Sequence, residues 1–341
     1  MYPDFSVTLF REKLEYVHDI HLSRETIRKV LIDGNLRKSR KKNKRRVHIF
    51  RKRKDSFGEL IQIDGSTHRW LEERMDGKLT LMGYIDDATG NTFARFYDYE
   101  GVSPFLDSFI RFAKIYGLPK SIYVDRHSTY KTTREPTIEE QLENRKPKTQ
   151  VERILGNLGV NIIHAYSPQA KGRVERLFKT LQDRLIKEMR LKGIRTKEDA
   201  NCFLEEYLPV FNKQFAKTPK SNISVFRKPS KDFDYEWSFA LEYTRTVGND
   251  YTIKYKGNIY QIENTSFLLR KRKVTVKETI GGKIKMFYKG EELKLRKIET
   301  EEKREIEEKT QTEEKTQKRE KQGKEKGNRR ETKELRALAG S

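Results

Sequence analysis

The chain reads as an α/β layered domain with a short helical unit before it and a small all-β unit after it. Three observations predict this. Between residues 57 and 240, strand-length apolar runs and helical-period stretches follow the order βββαβαβα. Before residue 37 the apolar spacing is helical only, and between 244 and 298 short alternating segments are separated by glycine turns. The expected organisation is 1–36 helical, 37–56 basic linker, 57–240 α/β, 244–298 small β-barrel and 299–341 charged tail.

Taken in order, Phe10, Leu14 and Val17 recur at spacings of four and three and predict a first helix. Ser23 is a good N-cap for a second over Arg24 to Leu31, with Ile27, Val30 and Leu31 expected to face inward. That leaves Arg24, Thr26 and Arg28 on the outer face near the N-terminus, as a helix-turn-helix presents side chains to a major groove. Glu59 to Asp64, Leu79 to Asp86 and Asn91 to Tyr97 follow as strands, the last two joined by the turn Asp87-Ala-Thr-Gly-Asn. Pro104 suits a helix start, and Phe105, Phe109, Phe112 and Tyr116 give that helix one apolar face. A strand ending at Asp125 comes next, then an irregular polar stretch from Lys131 to Gln150 and a short helix from Val151 to Leu158. Asn161 to Ala165 makes a fifth strand, and a long helix from Ala170 carries the stripe Val174, Leu177, Leu181 and Leu185. The later strands are expected at Asp250 to Tyr255, Asn258 to Ile262, Val274 to Glu278 and Lys283 to Tyr288, a pattern that fits a small barrel.

Composition narrows the function classes. With 74 Lys plus Arg against 51 Asp plus Glu, the net charge of +23 attracts polyanions, and nucleic acid is the default partner. Residues 37 to 54 hold twelve Lys or Arg and no acid, among them Arg40, Lys41, Lys42, Arg45 and Arg46; such a run repels itself and reads as an arm that orders on phosphates. No apolar run is long enough to cross a membrane and no signal segment is evident, so a cytoplasmic, nucleoid-associated location is expected. The single cysteine, Cys202, cannot build a disulfide framework or a cysteine zinc site and is expected as a core or interface thiol.

Three acids sit where a phosphoryl-transfer metal site would want them. Asp64 and Asp125 are each expected at a strand end, and Glu175 lies one turn into the long helix, at the edge of its buried stripe. In-line cleavage of a phosphodiester needs a nucleophile activated on one side and an alkoxide stabilised on the other, which two cations about 3.5–4 Å apart provide. Singly, each residue has an ordinary explanation: a strand-end Asp begins a turn and a helical Glu is solvated. Together they stand beside Arg126, His127, Lys171, Arg173, Arg176 and Lys179, cations suited to holding DNA phosphates against metals. Asp86 and Asp87 are second-choice ligands.

The segments IQIDGSTHRW (61–70), YIDDATGNTFARF (84–96), YVDRHSTYKT (123–132) and HAYSPQAKGRVERLFKTLQDRL (164–185) resemble the catalytic core of bacterial insertion-sequence transposases of the DDE, retroviral-integrase-like superfamily. The resemblance covers residues 5 to 240 and, more loosely, the barrel. It implies an RNase H-like core, a mixed five-stranded sheet with flanking helices, and Asp64, Asp125 and Glu175 as the catalytic triad. It also implies Mg²⁺ or Mn²⁺, two ions per site, cleavage at element ends, strand transfer by a freed 3′-hydroxyl, and a homo-oligomer on paired ends of double-stranded DNA. The Asp125 to Glu175 gap is longer than the commonest spacing, the excess being Lys131 to Gln150. Similar transposases carry a further helix-turn-helix upstream, whereas this chain starts at the second; the competing reading is therefore a truncated, catalytically inactive DNA-binding repressor.

Overall fold

A computed structural model describes residues 2, 4–38, 51–142, 144, 146–165, 171–263 and 267–298. The chain divides into two units, Met1–Leu241 and Glu242–Ser341. The first is built on a five-stranded sheet of β1 (Ile61–His68), β2 (Leu79–Asp86), β3 (Thr92–Tyr97), β4 (Ser121–Val124) and β5 (Asn161–His164), in the order β3-β2-β1-β4-β5. β1 pairs antiparallel with β2 and parallel with β4; β2–β3 is antiparallel and β4–β5 parallel. The sheet is thus mixed and five-stranded, as the resemblance implies.

Alternation along the strands sends side chains to two cores. Ile61, Ile63, Met82, Tyr84, Ile122 and Val124 pack with Phe105, Phe109 and Phe112 of α3 (Val102–Tyr116), and with Val151, Ile154 and Leu155 of α5 (Gln150–Asn157). Leu79, Leu81, Ala94 and Phe96 point to the other face. There they meet Val174, Leu177, Leu181 and Leu185 of α6 (Gly172–Leu191) and Ala200, Leu204 and Phe211 of α7 (Lys197–Phe215). Each fully buried Phe or Leu contributes about 1.5–3 kcal/mol by leaving water, so the aromatic face of α3 and the stripe of α6 hold the two helical layers on the sheet. Gly83 of β2 lets α6 approach closely: a Cβ there would stand 2.8 Å from Phe178 Cε1.

Several expectations need correction. β1 does not stop at Asp64; it continues to His68, with Asp64 opposite Gly83, because β2 is long enough to pair the whole strand while the pairing with β4 ends at Gln62–Tyr123. The polar stretch from Lys131 to Gln150 contains a short α4 (Ile138–Leu142). Cys202 is exposed rather than in the core.

The first two helices form where the sequence places them, α1 (Val7–His18) capped by Ser6 and α2 (Arg24–Asp33) capped by Ser23. Their buried faces differ from the expected ones. In α1 the buried residues are Val7, Leu9 and Glu12, with Val17 59% exposed; in α2 only Ile27 is buried and Val30 is 61% exposed. α1 turns toward α6 instead: the Arg184 guanidinium grips Glu12 through two bonds of 2.6 and 2.7 Å, Lys13 reaches Glu188 at 2.7 Å, and Arg190 reaches Asp4 at 2.8 Å. This polar docking replaces part of the apolar face that helical spacing alone implies.

The second unit has β6 (Leu241–Thr246) to β12 (Lys294–Lys297), after a short α8 (Tyr235–Ser238) at the end of the first. β7 (Thr252–Tyr255), β8 (Asn258–Glu263) and β12 form one three-stranded sheet. β6, β9 (Lys273–Glu278), β10 (Ile284–Tyr288) and β11 (Glu291–Glu292) form a four-stranded one. Ile253, Ile262, Val274, Val276 and Met286 make their common core. All four strands expected there are present, in two sheets.

Candidate functional site

Asp64, within β1, and Asp125, just after β4, lie where the parallel β1–β4 ladder ends, each two residues beyond its last register pair, Gln62 with Tyr123. This follows from local sequence: the apolar runs of β1 and β4 fix both registers, and the polar residues begin where the β1–β4 ladder ends. Alternation turns Gln62 and Asp64 toward α6. The Gln62 amide, fully buried, accepts from Val174 N at 3.3 Å and donates to Asp87 Oδ1 at 2.9 Å. One orphan donor of the α6 N-terminus is thereby satisfied and the helix is pinned over the strand end.

The Asp64 carboxylate accepts from Lys171 Nζ at 2.8 Å, and Lys171 is itself only 7% exposed. Burial pushes the Asp64 carboxyl above the usual carboxylate range; the Asp125 charge adds to this, against the pull of Lys171. Asp125 accepts from His127 N at 2.9 Å and so also begins its own turn. His127 Nδ1 meets Thr129 Oγ1 at 3.0 Å.

Glu175 occupies the first turn of α6 and is exposed. A carboxylate that the sequence does not single out lies against β1 at Gly65: Glu100, between β3 and α3. Burial raises its carboxyl, as do the Asp64 and Asp125 charges, while His127 and Lys171 lower it. No local signal marks Glu100, since its position depends on where the β3–α3 connection crosses β1.

Among the described residues no group of three or more His, Cys, Asp or Glu is arranged to hold a metal ion. The Asp64 and Asp125 pair nevertheless fits a hard divalent cation, because Mg²⁺ needs only one or two carboxylates and completes its octahedron with waters and substrate phosphates. Lys171 already places a positive charge on Asp64.

Asp86 and Asp87, the second-choice ligands, are fully engaged in structure. Asp86 accepts from Gly58 N, Thr89 N and Thr89 Oγ1 at 2.7–2.9 Å, and burial raises its carboxyl. Asp87 is completely buried and accepts from Arg173 (2.9 Å), Gln62, Lys54 N (2.8 Å) and the Arg51 guanidinium.

The remaining predicted cations separate into groups. Lys171 and Arg173 face carboxylates of the fold rather than open solvent. Arg126, His127, Arg176 and Lys179 are exposed. In α2, Arg24 is exposed, the Thr26 hydroxyl meets that of Ser23 at 2.8 Å, and Arg28 is paired with Glu25. Arg40, Lys41, Lys42, Arg45 and Arg46 lie outside the described residues. Among the described residues no helix is long and apolar enough to cross a membrane.

No family model matches the chain. A Sinorhizobium fredii protein named for a transposase, y4bF, is 40% identical over 227 residues, 66% of this chain and 48% of that protein. The transposase for insertion sequence IS1202 of Streptococcus pneumoniae is 29% identical over 317 residues, 82% of this chain and 66% of that protein. The chain thus spans between about half and two thirds of the curated relatives it matches. Among solved structures, a simian T-cell lymphotropic virus intasome aligns at 14% identity and TM-score 0.37, covering 81% of this chain and 88% of that one. The catalytic core of BIV integrase aligns at 16% identity and TM-score 0.32, covering 46% and 99%.

Proposed function

This chain is a relative of insertion-sequence transposases, and from that premise we propose that it is a DDE-type polynucleotidyl transferase that cleaves DNA at element ends and joins the freed 3′-hydroxyl to target DNA. The observation that carries the reading is the placement of Asp64, in the middle of β1, beside Asp125, which follows β4, where the parallel β1–β4 ladder ends, on a chain of net charge +23. Two bound Mg²⁺ or Mn²⁺ ions would supply activation of the attacking oxygen and stabilisation of the leaving one.

The chain's own residues set up that chemistry. Asp64 and Asp125 hold the cations, and Glu175, in the first turn of α6, completes the set from the helix that Gln62 pins above the strands. Lys171, bonded to Asp64, keeps that carboxylate oriented. Arg126, His127, Arg176 and Lys179, exposed on the loop after β4 and on α6, take the scissile backbone's phosphates, whose charge-assisted bonds are the strong ones. The helices of 1–36 act as a helix-turn-helix reader of the element end, with Arg24, Thr26 and Arg28 toward the groove. The segment 244–298, as a small barrel, adds a second DNA-facing surface, and two or more copies work on paired double-stranded ends in the nucleoid.

A labelled element-end duplex incubated with Mg²⁺ or Mn²⁺ tests the reading: metal-dependent nicking is expected, and so is joining of a pre-cleaved end into plasmid DNA. Binding with no metal-dependent cleavage under any divalent ion would instead identify a DNA-binding repressor. Nicking without joining would identify a nuclease.

Deleting residues 39–50 tests the arm. That stretch holds six Lys or Arg and leaves Arg51 and Arg53 on their partners. Affinity should fall for every DNA sequence, and the slope of log K against log salt should flatten by roughly 0.9 for each phosphate that is no longer neutralised. A change of sequence preference with the salt slope intact would show that the arm reads bases.

A further inference from the structure

This inference rests on the transposase reading of the Asp64 and Asp125 site and concerns the cation that the fold itself delivers to Asp64. Lys171 stands at the N-cap of α6, yet its side chain caps nothing there. It runs instead to Asp64, with Nζ 2.8 Å from Oδ1, and the residue is only 7% exposed. An ammonium taken this far out of water is costly unless a carboxylate answers it. Asp64 is that carboxylate.

The neighbouring bonds show that the fold sets this contact. Val174 N donates to the Gln62 amide at 3.3 Å and Arg173 donates to Asp87 at 2.9 Å, so the first turn of α6 is fastened to β1 and to the β2–β3 turn just after Lys171. Gln62 and Asp64, two apart on β1, face α6 together.

A hard divalent ion sits about 2.0–2.1 Å from a carboxylate oxygen. Ligated to Asp64 Oδ1, it would stand no more than about 5 Å from the ammonium of Lys171 in its present position. Two cations so close in a partly buried site repel, and one carboxylate oxygen cannot serve both in full. The monovalent one rides on a flexible four-carbon stem and can leave.

We propose that Lys171 is an exchangeable counter-cation of Asp64, a positioning residue that neutralises this carboxylate before a divalent ion binds and swings out to solvent when one does. Metal loading thereby turns a buried cation into an exposed one beside the site. There it is suited to a DNA phosphate.

Two measurements on the purified full chain test this without relying on activity. One is Mn²⁺ binding, read from the paramagnetic resonance of free Mn²⁺; the other is acetylation of Lys171 by an amine-reactive ester, read by peptide mass spectrometry. Lys171→Met removes the competitor at similar volume and should tighten Mn²⁺ binding by about tenfold or more, the worth of a hydrogen bond to a charged group. Lys171→Arg keeps the charge and should bind Mn²⁺ much as wild type does. In the wild-type chain, acetylation of Lys171 should be slow and should speed up severalfold when Mg²⁺ is added, while the exposed Lys192 keeps its rate. That arm needs no variant, so it decides alone if Lys171→Met fails to fold.

Asp64→Asn gives the reference for the site and should weaken Mn²⁺ binding. If it does, while Lys171→Met binds Mn²⁺ no more tightly than wild type or Lys171 acetylation ignores Mg²⁺, exchange at Asp64 is overturned and the site itself stands. If Asp64→Asn binds Mn²⁺ as wild type does, the metal-site reading fails and the role of Lys171 falls with it.

Discussion

Replacing Asp64 with Asn is expected to abolish Mg²⁺- and Mn²⁺-dependent cleavage and joining while leaving DNA binding within a few fold of wild type. The substitution keeps the shape of the side chain and its bond from Lys171, but removes the negative charge that a cation requires. Metal stabilisation of the reacting oxygens is worth several kcal/mol, and each 1.36 kcal/mol is tenfold in rate, so the loss should be on the order of 10³-fold or more. Single-turnover cleavage of a labelled duplex measures it, with filter binding as the control. DNA affinity should barely change because the groups proposed to grip phosphates are distributed elsewhere, on the 39–50 segment, Arg126, Arg176 and Lys179. A variant that still cleaves at a tenth of the wild-type rate would show that the chemistry does not pass through Asp64.

The second large effect is on stability. Asp87→Ala should lower the unfolding free energy by about 3 kcal/mol, the lower end of what is lost when one member of a buried ion pair is removed. Asp87 is completely buried and holds Arg51, Arg173, Gln62 and the backbone of Lys54 together. Without it, Arg173, which also donates to the Arg51 carbonyl at 2.8 Å, keeps its charge in a largely closed site, and the Gln62 amide loses an acceptor. Arg51 is more open and recovers part of its hydration, which keeps the cost from the upper end. Urea unfolding followed by circular dichroism measures the shift. A change below about 1 kcal/mol would mean that water substitutes for Asp87.

The fold was largely legible because its signals are periodic. Apolar alternation in Ile61, Ile63, Met82 and Tyr84, and the helical stripes of α3 and α6, place every layer of the first unit, and burial along them is nearly complete. Legibility declined wherever polar interactions between distant segments decide the outcome. The face of α1 could not be read from spacing because Glu12 is buried by Arg184, 172 residues away. Asp64 was legible as a conspicuous acid but not as a mid-strand residue, since the partner that extends β1 is β2. Asp87 showed as a turn former; its role as the anchor of Arg51 and Arg173 depends on segments far along the chain. Glu100 is the clearest case, for nothing adjacent to it in sequence announces that Gly65 leaves space for it.

The grip of Asp87 on Arg51 and Arg173 has one more consequence. Residues 39–50 run from the end of the α2 region to a point fastened beside the start of α6, and twelve residues span at most about 40 Å. On the proposed function, a duplex engaged by those lysines and arginines would be tethered within a short radius of Asp64 and Asp125. Encounter with the site then becomes an intramolecular event at high effective concentration, in the millimolar range for a short link. On the proposed function the arm would raise how often bound DNA visits the carboxylates as well as how tightly it is held.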